Sequence, residues 1–289
     1  MSPARRLMLL AALAAATACS SSKPTTRPAA GDKKPVRAAV IGGMTMTGVW
    51  PRIAEKFTAA TGYPVQVVIT GPRPGLAAAM REGKIDLLTM HSGDITTALV
   101  ADGFATNLRP WAKNDLVIVG PASDPAKIKG MTDGAAAIRQ IADAKAKFVD
   151  FHGIGSREVA LGLWKRSGVE PAGDWIVKDE SGDHKNILLF AQQHNAYVIV
   201  GRMPVLWGKI QRGTMEILVD ADPLMRRTYV VMEANPRTFA DANIDGAKAL
   251  ADFLLSEPIQ QYLADAPENR RDGVPLFYPV SPAARAVKN

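Results

Sequence analysis

The chain has 289 residues, 47% of them apolar and 22% charged, with a formal net charge of +7 and one cysteine, Cys19. That balance excludes a chain disordered throughout, a disulfide-stapled mini-domain and a cysteine cage for zinc. Residues 1–35 carry six basic groups (Arg5, Arg6, Lys23, Arg27, Lys33, Lys34) against Asp32, so most of the positive charge precedes a nearly neutral body and no nucleic-acid partner is expected.

Residues 1–19 read as an export signal. Arg5 and Arg6 form its basic start, Leu7 to Leu13 its apolar stretch, and Ala16-Thr17-Ala18 the small-residue run before Cys19. The apolar stretch is too short to span a membrane, for which ~20 residues are needed. The triplet and cysteine resemble a bacterial lipobox, which implies lipidation of Cys19. Residues 20–35, rich in Ser, Thr, Pro and Lys and without an aromatic, read as a solvated tether. The expected location is the periplasm or cell envelope, with contact to the membrane through the lipid alone.

The body starts at Val36. Arg37 to Ile41 reads as a strand ending at Gly42-Gly43, followed by a helix over 49–62 that puts Val49, Ile53 and Phe57 on one face and stops at Gly62. A strand over 64–70, a turn at 71–75, a helix over 76–83 and a strand over 85–91 complete β-α-β-α-β, the pattern of a parallel sheet covered by helices. A short helix over 95–101 and an apolar strand over 116–121 follow. In the second half, 147–151, 196–201 and 228–236 read as strands, and 133–145 and 156–168 as helices. A final helix over 245–264 carries Ala247, Leu250, Phe253 and Leu254 on one stripe. Fold class is therefore α/β. In such sheets ligands collect where strands end, and the ends at 42–48, 69–72, 90–94 and 152–158 are rich in Gly, Ser and Thr. Backbone N–H groups at such helix starts suit a small anion.

Several segments, in order, resemble the periplasmic substrate-binding proteins of ABC transporters, most of all the tungstate-binding branch of the type II fold. They include EKFTAATGYPVQVV, IDLLTMH, NDLVIVGPASDPAKIKGM, FVDFHGIGSREVALGLWKRSGVEPAGDW, NAYVIVGR, DADPLMRRTYVVMEANP and DGAKALADFLLSEPIQQYL. The resemblance implies two lobes of mixed sheets flanked by helices, with a ligand cleft between them. Lobe 1 is expected over 36–114 and 234–289, and lobe 2 over 115–233. It further implies a non-enzymatic monomer without a cofactor, capturing a small oxyanion such as tungstate or molybdate for an ABC permease. Relatives carry Thr-Thr-Ser where this chain has Gly42-Gly43-Met44, with hydroxyls only at Thr45 and Thr47. Their Val-Gly-Thr-Gly matches Ile69-Thr70-Gly71-Pro72, and their Ser-Gly-Thr-His matches Ile154-Gly155-Ser156-Arg157. An arginine of relatives falls at Asp150, which leaves Arg73, Arg157 and Arg202 as candidates to supply charge. Ser181 and Gly182 lie where relatives have a glycine-rich loop.

Each of these positions also has a plainer reading. Gly42-Gly43 suits an anion nest or a tight turn, and Thr70-Gly71 with Arg73 suits a cleft loop or a proline-stiffened turn. Ser156 suits a ligand contact or a helix cap. His91 and Ser92 suit a cleft donor or a satisfied strand end. The four histidines show no metal-ligand spacing, and Ser156 lacks the flanking glycines and following triad of a serine hydrolase. The rival to transport is a binding fold repurposed as a sensor or interaction lipoprotein.

Overall fold

The computed structural model describes residues 33–179 and 183–285. The export signal, Cys19, most of the tether, Ser181 and Gly182 lie outside the described residues.

β1 (Val36–Ile41) is almost wholly buried, as expected of a central strand covered on both faces. α1 (Gly42–Met46) follows at once, then α2 (Val49–Thr61), which buries Val49, Trp50, Ile53 and Phe57. Gly62, at φ +79°, ends α2 in the left-handed conformation that glycine adopts without strain. β2 (Val65–Gly71), α3 (Arg73–Arg81), β3 (Leu87–His91) and α4 (Asp94–Ala101) complete the first half of lobe 1. β1 pairs in parallel with both β2 and β3, as the alternation of strands and helices predicts. The fully buried Asp86 braces this unit: it accepts from the Arg37 guanidinium (2.6 Å) and backbone N–H (2.8 Å) and from Asn243 N–H (3.0 Å).

β4 (Ala105–Pro121) is far longer than the strand expected over 116–121. Its first part pairs antiparallel with β9 (Arg226–Ala234), which in turn pairs antiparallel with β3. Its second part pairs with β7 (Val198–Gly201) and β8 (Met215–Val219). Between them run α5 (Gly134–Asp143), β5 (Phe148–Asp150), α6 (Ile154–Ser167), β6 (Ile176–Lys178), α7 (Ile187–Gln193) and α8 (Arg202–Leu206). β4 is thus one continuous strand shared by two lobes. One core, from Val36 to Ala112 and again from Tyr229 to Phe277, packs on its first part. Two others, holding Leu116 to Met225, pack on its second. The buried residues pass from the second group of cores to the first between Met225 and Tyr229.

The helix expected over 245–264 is two helices, α9 (Ile244–Leu255) and α10 (Glu257–Asp265). The break falls at Ser256, whose backbone is extended, and Pro258 cannot donate the N–H an unbroken helix needs. The chain ends with the short strands β10 (Arg270–Arg271), β11 (Val274–Pro275) and β12 (Tyr278–Pro279) and with α11 (Pro282–Arg285). The buried Gln260 fastens this return segment, donating to Trp111 and Leu254 carbonyls (2.9 and 2.8 Å) and accepting from Val280 N–H (2.9 Å).

Candidate ligand cleft

A cavity of about 550 Å³ lies where the lobes meet. Lobe 1 supplies Gly42 and Gly43 at the end of β1, and Gly71 to Pro74 at the end of β2. Lobe 2 supplies Gly153, Gly155 and Ser156 after β5, and Gly201, Met203 and Pro204 after β7. The three central strands contribute His91 from β3, Asn114 from β4, and Arg227 and Tyr229 from β9. Small residues at the strand ends bring backbone close to the cavity, and no described lining residue is Asp or Glu.

The polar groups there are donor-rich and short of partners. α6 has no side-chain cap, and its first acceptor bond runs from Arg157 N–H to Gly153 (2.9 Å). The N–H groups of Gly155 and Ser156 therefore lack an intrahelical acceptor. Among the described residues, His91 Nε2, Asn114 Oδ1, Arg227 Nε and Tyr229 Oη are buried with no hydrogen-bond partner. Burial, then the charges of Arg227 and Arg73, hold the His91 imidazole well below its ordinary pKa and so neutral. Burial also pushes the Tyr229 hydroxyl up, leaving it a proton-bearing donor.

Contacts across the cleft hold the lobes together. Arg73 on α3 pairs with Glu158 on α6 at 3.2 Å, and the Arg271 guanidinium lies 4.5 Å over the Trp207 ring. Met203 of α8 packs into the lobe 1 core.

Of the residues singled out from sequence, Gly42, Gly43, Gly71, Arg73, His91, Gly155 and Ser156 line this cavity. The other described candidates do not line it. Met44 is fully buried in the lobe 1 core, because α1 turns that side chain inward. Thr45 and Thr70 bond each other through their hydroxyls (2.8 Å), and Thr47 donates to the Met44 carbonyl (3.2 Å). Ser92 lies on a neighbouring groove with Glu158 and Arg166, its carbonyl accepting from Arg73 (3.2 Å). Arg157 is taken by Asp150 at 2.5 Å. Arg202 is buried and points at the Arg271 and Pro275 carbonyls, both at 3.4 Å.

A second arginine that reaches the cavity beside Arg73, Arg227, was not among the candidates. It sits in a strand, away from glycines and hydroxyls. The usable signal was the Arg226-Arg227 pair opening a crossing strand, where alternation sends the two side chains to opposite faces. Arg226 turns to Asp115 (3.1 Å) and Arg227 to the cleft. A Cβ at Gly155 would overlap the Arg227 guanidinium, and one at Gly201 would lie 3.6 Å from it.

Two lobes sharing a continuous strand, with a polar cavity where they meet, define a type II periplasmic substrate-binding protein. The chain belongs to that kind of family: the model described as "Bacterial extracellular solute-binding protein" matches residues 38–266. It is similar to the tungstate-binding protein TupA of Peptoclostridium acidaminophilum, 32% identical over 238 residues, covering 81% of each chain. It is also similar to a putative ABC transporter anion-binding protein of Haloferax volcanii, 32% identical over 237 residues, covering 79% of this chain and 66% of that one. Among solved structures, the TupA protein of Desulfovibrio alaskensis G20 matches with a TM-score of 0.71 at 26% identity, covering 86% of this chain and 100% of the other. A tungstate ABC transporter structure from Geobacter sulfurreducens matches at 0.66 and 26%, over 80% and 98%. No helix among the described residues is long and apolar enough to cross a membrane.

Proposed function

We propose that this chain is a lipid-anchored, monomeric binding protein that captures a small oxyanion outside the cytoplasm and delivers it to an ABC permease. Tungstate and molybdate are the first candidates, in line with the names of its relatives. The observation that carries the reading is the cavity between the lobes, none of whose described lining residues is Asp or Glu and whose buried polar groups lack partners among the described residues. A desolvated anion needs donors on most of its oxygens. The amides of Gly42 and Gly43 from lobe 1, those of Gly155 and Ser156 from lobe 2, and the Tyr229 hydroxyl are the donors assigned here. Because they belong to different lobes, a bound anion favours the closed form over the open one. The lobe limits at 36–114, 115–233 and 234–289, lipidation at Cys19 and a contribution from the loop at Ser181 and Gly182 belong to the same reading.

Isothermal titration calorimetry of the purified protein against tungstate, molybdate, sulfate and phosphate tests it. Binding of at least one is expected. No heat and no melting shift with any of them would reject the oxyanion class and favour the sensor or interaction role.

A further inference from the structure

We infer that Arg227, on the crossing strand β9, is the fixed charge that anchors the anion, so that the ligand's main ionic contact belongs to the hinge floor and not to a loop of either lobe. The Arg227 side chain, partly buried as a whole and with its Nε fully buried, forms no ion pair or hydrogen bond with any described residue. The nearby acid, Glu158, attracts Arg227 without forming an ion pair with it and is engaged by Arg73, whose own charge opposes that of Arg227. A partly buried guanidinium that forms no ion pair within the described residues is left with its fork open to a partner from outside the chain.

The surroundings are shaped for that partner. Glycine at 155 leaves the volume that the guanidinium fills, at the uncapped start of the fourteen-residue helix α6. The Tyr229 hydroxyl, two residues along the same strand face, is fully buried and also unpartnered. A guanidinium offers a planar fork to two anion oxygens at once, which an ammonium cannot reproduce. Set at the start of β9, where the buried residues pass from one core to the other, Arg227 is presented to solvent when the lobes part. The anion lands on it first, and α6 closes over the bound ligand.

This inference rests on the oxyanion reading, and the following experiment separates the two. Wild type, Arg227→Met and Arg227→Lys are titrated with tungstate, molybdate and sulfate, and each is melted without added anion. The expected result is a loss on the order of 100-fold for Arg227→Met and a partial loss for Arg227→Lys. The anion-free melting temperature of Arg227→Met is expected at or above wild type, because a partly buried cation without an ion pair of its own has been removed. If Arg227→Met melts lower, Arg227→Lys decides: a tenfold loss with wild-type melting supports the anchor, and unchanged affinity overturns it. Arg227→Met binding within threefold of wild type overturns the anchor and leaves the oxyanion reading standing. Silence of the wild type with every anion removes both.

Discussion

Arg73 at the start of α3 lies 3.2 Å from Glu158 on α6, an ion pair that joins a lobe 1 helix to a lobe 2 helix across the cleft. The Arg73 side chain is 8% exposed and that of Glu158 51%, so the pair belongs with screened surface bridges, worth ~0.2–1 kcal/mol. That is small for folding and still matters for a two-state closure. Glu158→Gln should leave the melting temperature nearly unchanged. It should weaken anion binding about two- to fivefold by raising the open fraction, since affinity scales with the population of the competent state. Small-angle scattering on the anion-free protein reports that fraction. Identical scattering and affinity would make the pair incidental to closure.

Gly155→Ala offers a sharper probe. The added methyl overlaps the tip of Arg227, the far end of a flexible side chain, so the fold can yield by moving that guanidinium. The expected phenotype is a melting shift of only a few degrees together with a drop in anion affinity of about tenfold or more. Calorimetry and melting on one preparation check both halves. Wild-type affinity in Gly155→Ala would mean that the guanidinium's position is irrelevant to binding.

The first half of lobe 1 was legible because its signals are local. Alternating strands and helices set the parallel pairing of β1, β2 and β3, and glycines after strands marked three of the loops that meet at the cavity. The first part of β4 was not legible. Ala105 to Asp115 is mixed in polarity and contains Pro110, and it is extended because β9, over a hundred residues later, pairs with it. The same long-range pairing hid Arg227, Asn114 and Tyr229, whose place at the cavity follows from where the crossing strands lie. Local hydrogen bonding of the threonine hydroxyls was not legible either. Thr45, Thr47 and Thr70 satisfy each other or nearby carbonyls, as such side chains commonly do at turns.

His91 makes stability depend on acidity. Its imidazole, tilted against the Tyr229 ring at 4.3 Å between centroids, is held well below the ordinary value of 6.5 by burial and by the charges of Arg227 and Arg73; the Asn114 amide opposes this. A group with a depressed folded pKa takes up its proton more readily when unfolded. Its contribution is therefore intact above pH 6.5 and is lost progressively as pH falls below it. The wild-type melting temperature should decline from pH 7 to 5, and His91→Gln should flatten that slope. Parallel slopes in the two proteins would assign the acid sensitivity to other groups.

Asp115 separates stability from binding at the hinge. It is adjacent to Asn114 in β4, so alternation turns Asn114 to the cavity and Asp115 to the opposite face. There its buried carboxylate accepts from Tyr278 Oη at 2.5 Å and Arg226 Nε at 3.1 Å, and the Arg226 guanidinium lies 3.7 Å over the Tyr278 ring. The cluster joins β4, β9 and β12 close to where the core changes lobe. Hydrogen bonds to a charged group are worth ~1.5–3 kcal/mol each, and Asp115→Asn keeps the shape while losing the charge. A destabilisation of about 2–3 kcal/mol by urea unfolding is expected, whereas Asp115→Ala, which strands Arg226, should cost about 3–5 kcal/mol. Anion affinity of Asp115→Asn should stay within threefold of wild type, because this face of the strand does not line the cavity. A large affinity loss at unchanged stability would reverse that assignment and place the cluster in the closing motion itself.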